Sequence, residues 1–106
     1  MEDPKYQLVL QLPGATQVDF EHLASLEELL ADAFDETPHQ VDGHDFGSGT
    51  MNIFIDTNDP GAAFEIAKQI VTPTKHPALK VAFRSFEEDD YQLIWPENSN
   101  DQFELF

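Results

Sequence analysis

The sequence predicts an α+β domain of the ferredoxin-like kind: a β-α-β-β-α-β order with an extra C-terminal strand, an antiparallel sheet and both helices on one face. Three observations predict it. Five short segments alternate apolar and polar residues with the period of a strand. Two longer segments repeat apolar residues at helical spacing, each opened by an N-terminal signal. Proline, glycine and acidic turn residues separate these segments. The chain of 106 residues fits one such domain over 1–96, followed by a polar, acidic and mobile tail over 97–106.

Tyr6 to Leu12 forms the first strand, with Tyr6, Leu8, Leu10 and Leu12 on one face and Pro13-Gly14 ending it. Asp19 is a good N-cap for a helix from about Phe20 to Phe34. Phe20, Leu23, Leu26, Leu30, Ala33 and Phe34 share one side of it, and Glu21, Ser25, Glu28, Asp32 and Asp35 line the other. His39 to Phe46 reads as a weaker strand, Gly47-Ser48-Gly49 as a turn and Met51 to Asp56 as a strong strand, making a hairpin. Asp59-Pro60 starts a second helix that runs to about Val71, and Pro73 and Pro77 stiffen the connection after it. Leu79 to Arg84 is a fourth strand, Glu87 to Asp90 a turn, and Tyr91 to Trp95 a fifth strand stopped by Pro96. The expected strand order is 4-1-3-2, with the fifth beside the fourth.

Alternation assigns Gln7, Val9, Gln11, Asn52, Phe54, Lys80, Ala82, Arg84 and Phe86 to the sheet face without helices. Gln40, Asp42, His44 and Phe46 of the second strand are expected to join them. Such a face is apolar for open water and holds two of the five cations, so something is expected to cover it. The candidates are a second copy in a homodimer, the tail through Phe103, Leu105 and Phe106, or an outside partner.

Five Lys and Arg stand against 21 Asp and Glu, a formal net charge of −16. No cation lies between Lys5 and Lys68. This balance argues against direct binding of nucleic acid or anionic lipid and in favour of a basic protein partner. Cysteine is absent, which removes disulfides, thiolate catalysis and iron–sulfur clusters. No apolar run is long enough to span a membrane, and the acidic N-terminus lacks a signal-peptide pattern, so a cytoplasmic setting is expected.

Signals for chemistry are weak. Asp42 and His44, two apart on a strand, read as a surface pair more readily than as metal ligands or an acid–base couple. His22 and His76 read as surface histidines. Ser48 lies between two strands, outside the strand–turn–helix context of a nucleophile elbow. No catalytic residue, metal site or cofactor is assigned.

The run from Val41 to Pro60, VDGHDFGSGTMNIFIDTNDP, and the ending Tyr91-Gln-Leu-Ile-Trp-Pro96 resemble a group of small uncharacterised bacterial proteins. The resemblance spans most of 6–96. It implies the fold and a bacterial cytoplasmic setting, and no activity. Two functions remain in view. In the first, a non-catalytic interaction module binds a basic partner through Glu21, Glu28, Asp32 and Asp35, as an immunity protein or nucleic-acid mimic does, or self-associates through a sheet face holding Val9, His44, Phe54, Lys80, Arg84 and Phe86. In the second, a small enzyme or metabolite-binding domain uses that face, with Lys80 and Arg84 holding an anion and His44 as acid or base.

Overall fold

The computed structural model describes residues 3–97 together with Phe103 and Leu105. Seven elements follow one another: β1 (Tyr6–Pro13), α1 (Gln17–Phe34), β2 (Gln40–Gly47), β3 (Thr50–Thr57), α2 (Pro60–Ile70), β4 (Lys80–Ser85) and β5 (Gln92–Trp95). The strands form one antiparallel sheet in the order β2-β3-β1-β4-β5.

The core follows from strand alternation. On β1, Leu8, Leu10 and Leu12 face Ile55, Ile53 and Met51 of β3, and Leu8 and Leu10 also pair with Phe83 and Val81 of β4. Leu23, Leu26, Leu30 and Phe34 of α1 and Ala63, Phe64 and Ala67 of α2 pack onto this same side in one buried cluster. Both helices therefore cover one face, because each has a single apolar stripe to hide. Each large side chain fully buried there contributes roughly 1.5–3 kcal/mol.

α1 begins three residues before the predicted start, and its cap is Thr16 rather than Asp19. The Thr16 hydroxyl accepts from the Asp19 amide at 3.1 Å, and the Asp19 carboxylate accepts from the amides of Thr16 at 3.1 Å and Ala15 at 2.9 Å. This reciprocal capping box satisfies amides that the helix cannot. Those donors hold the Asp19 carboxyl below the usual aspartate range. Thr16→Ala is expected to destabilise the protein by about 1 kcal/mol in urea denaturation. α2 follows the sequence reading: Asp59 caps it, accepting from the Ala62 amide at 3.1 Å, with Pro60 in the first turn.

β2 departs from prediction at one residue. Val41 pairs with Ile55 and Gly43 with Phe54, so Asp42 is an extra residue, a β-bulge. Beyond it the parity of the strand is reversed. His44 now pairs with Ile53 and Phe46 with Met51, on the helix side, while Asp45 pairs with Asn52 on the reverse. Gly43 has φ +154°, and a Cβ there would meet nothing within 4 Å, so backbone conformation rather than space selects glycine. Ser48 and Gly49, with φ 55° and 82°, make the two-residue turn into β3, where positive φ at both positions matches the strand twist.

Candidate functional site

The antiparallel order and the helix placement turn a charge asymmetry along the chain into one in space. α1 lies over the β2–β3 side of the sheet, and residues 17–57, which build these three elements, contain no Lys or Arg. Glu21, Glu28, Asp32 and Asp35 are exposed along α1 and its C-cap, and Asp42 and Asp45 are exposed on the edge strand β2. Among the described residues none of these six carboxylates has an ion pair. Glu27 alone turns inward, meeting His44 Nδ1 at 2.7 Å across to β2. The Phe20 ring makes T-shaped contacts with the His44 and Phe46 rings, centroids 5.8 and 5.4 Å apart. These contacts fasten α1 to the edge strand.

At the C-terminal end of α1 this acidic side opens into a cleft lined by Phe34, Asp35, Glu36, His39, Val41 and Asp56, among others. The negative end of the helix dipole adds to the carboxylates there, since the last turn of α1 holds no basic residue. One oxygen of Asp56 is buried without a hydrogen-bond partner. Burial, and then the charge of Asp42, push its carboxyl above the usual aspartate range. His39 is buried beneath the cleft. Its Nδ1 stands 2.7 Å from Thr57 Oγ1, which also accepts from the Asp59 amide. Burial lowers the His39 pKa, opposed by Asp59.

These two shifts act in opposite pH windows. A histidine depressed in the fold favours folding above its ordinary value near 6.5, and that contribution is lost as pH falls below it. A carboxyl raised in the fold costs stability above its raised value, and that cost disappears as pH falls towards about 3.9. Asp56→Asn is therefore expected to stabilise the protein by up to about 1 kcal/mol at pH 7, with the gain vanishing near pH 4. Urea denaturation of both proteins at the two pH values measures it.

The reverse sheet face differs from expectation in two ways. First, His44 is not on it, because the bulge at Asp42 sends that side chain to the helix side. β2 and β4 are also three strand spacings apart, about 14 Å, so His44 cannot act with Lys80 and Arg84 on one small ligand. His44 meets Glu27 rather than Asp42, and among the described residues no metal-ligand group of three includes either. Second, much of the face is shut: Val9, Ala82 and Asn52 have no solvent exposure and Gln11 has 6%. Gln11 Nε2 donates to Asn52 Oδ1 at 3.0 Å in this buried layer. Tyr91 lies across the face, donating its hydroxyl to Gln7 Oε1 at 2.6 Å and accepting from Arg84 Nε at 3.3 Å.

Arg84 also donates to the Glu88 carbonyl at 3.0 Å, and its guanidinium sits over the Phe86 and Tyr91 rings at 5.5 and 5.7 Å. It serves as a clamp for the β4–β5 turn. Phe103 of the tail packs on Tyr91, with ring centroids 5.2 Å apart. Phe54 and Lys80 are half-buried, and Phe86 is exposed. The expectations for residues 98–102, Glu104 and Phe106 lie outside the described residues.

Sequence reading missed Tyr91 and Glu27. Nothing marks Tyr91 beyond its strand, and Glu27 sits on the flank of the α1 wheel. The glycine inside β2 was a usable signal for the bulge. Among the described residues no three His, Asp or Glu side chains gather as a metal site, and no helix is long and apolar enough to cross a membrane. Compared with known proteins, the chain matches no family, no curated protein and no solved structure.

Proposed function

We propose that this chain is a non-catalytic interaction module that captures a basic protein surface with the side formed by α1 and β2. One observation carries the reading: α1 with its C-cap and the edge strand β2 present Glu21, Glu28, Asp32, Asp35 and Asp42, and residues 17–57 contain no lysine or arginine. From Glu21 to Asp35 the α1 carboxylates extend over about 21 Å of helix, the scale of a basic cleft rather than of one side chain. The cleft at Asp35, Glu36 and Asp56 gives a single basic side chain a place to enter. An immunity-type or nucleic-acid-mimic role belongs to this class.

The reverse sheet face carries no weight in this reading, since Val9 is enclosed and Arg84 is engaged within the chain. The strand order, read from the other edge as 5-4-1-3-2, supports placing the module on a ferredoxin-like scaffold. The test is fluorescence anisotropy with a labelled lysine-rich peptide over a salt series. Micromolar or tighter binding that weakens steeply with salt supports the reading, and no binding at 50 mM salt overturns it.

A further inference from the structure

We propose that His22 and His76 form a two-histidine site for a late first-row divalent cation such as Ni²⁺, Cu²⁺ or Zn²⁺, which staples the start of α1 to the connection between α2 and β4. The two residues are 54 apart in sequence, yet their Nε2 atoms stand 3.1 Å apart. The ring centroids are 5.3 Å apart and the planes differ by 15°. Centroids that much farther apart than the nearest nitrogens mean that the rings meet tip to tip rather than face to face. Both coordinating nitrogens thus point into the same small space.

His76 is already prepared as a ligand. Its Nδ1–H donates to the Thr72 carbonyl at 3.0 Å, which leaves the lone pair on Nε2 in the neutral ring. A backbone carbonyl holding the far ring nitrogen is the support that metal-bound histidines commonly have. His22 Nε2–H must then be the donor in the 3.1 Å contact. To bind a cation His22 shifts its proton to Nδ1 and frees Nε2, so both rings stay neutral and no net proton is lost. Two bonds of about 2.0–2.1 Å to atoms 3.1 Å apart enclose an angle of about 95–102°, between square-planar and tetrahedral geometry. Rings that meet tip to tip aim their lone pairs along the line between the two nitrogens, so both side chains must swing, by up to about 40° each, to aim at one ion set beside that line. Asp19, one turn earlier on α1, adds negative potential at His22. With two protein ligands, water completes the coordination, and the ion is exchangeable.

The experiment is calorimetric titration of Ni²⁺ and Zn²⁺ into the full chain, with thermal midpoints read alongside. The wild type is expected to bind one ion per chain at this site, with a midpoint rise of several degrees that chelator reverses. His22→Ala and His76→Ala should each weaken this binding at least tenfold, while His44→Ala leaves it unchanged. Equal binding by the wild type and the His22→Ala and His76→Ala variants would mean that surface carboxylates hold the ion, and would overturn the proposal. Ring NMR of the wild type tests the same point without a variant. Ni²⁺ should broaden the His22 and His76 signals at lower concentration than those of His39 and His44, and the opposite order overturns the site.

Discussion

Replacing Glu28 and Asp32 together by lysine is expected to weaken binding of a basic peptide at least tenfold at 50 mM salt. Both side chains are exposed on α1, one turn apart, with no counter-ion among the described residues. The double change moves the local charge by four units within a single patch. At 0.1 M salt the screening length is about 10 Å, so a docked cation feels both sites. Asp89→Lys with Asp90→Lys makes the same change in net charge on the β4–β5 turn, away from α1. If net charge alone drives binding, both pairs lose affinity equally. If the α1–β2 side is the docking surface, the turn variant loses no more than about threefold, and at 1 M salt, where screening falls to about 3 Å, all three proteins converge. Equal losses at low salt would sink the assignment of this side.

Leu30→Ala is expected to cost about 3 kcal/mol or more in urea denaturation. Leu30 has no exposure and sits at the centre of the α1 stripe that packs on the sheet. Removing its side chain forfeits transfer free energy and leaves a cavity that a helix fixed at both ends cannot fully close. Thr16 and Asp19 hold the first end of α1, and the Phe34 ring meets His39 edge-on at the other. Leu29 is the internal control. It is 51% exposed beside Leu30, and Leu29→Ala should change stability by less than about 0.5 kcal/mol. The comparison also separates fold from function, because the acidic side exists only while α1 is docked. Leu30→Ala should weaken peptide binding only where it unfolds the chain, whereas Glu28→Lys with Asp32→Lys should weaken it with the fold intact.

Some of the candidate site was legible before the structure. The α1 carboxylates were readable because helical periodicity places Glu21, Glu28 and Asp32 opposite Leu23, Leu26 and Leu30 whatever the helix packs against. The second helix was readable from Asp59-Pro60, since a carboxylate cap and an early proline both act within one turn. The start of α1 was misplaced because Asp19 can cap a helix or support another residue's cap, and only the positions of the Thr16 and Ala15 amides distinguish these. His44 was misplaced because period-two alternation holds only while pairing is regular, and one extra residue at Asp42 inverts all that follows.

By itself the sequence determined the local properties: which segments alternate, which are helical, where the second helix begins, and that every cation lies outside residues 6–67. Tertiary structure alone decided which distant groups meet. It joined three cation-free elements into one surface, laid Tyr91 over Gln7 and Arg84, and set His22 against His76. The physical reason is range. Periodicity and caps arise from interactions within a few residues, whereas a contact across 54 or 84 positions depends on strand order and register, which the whole core fixes together.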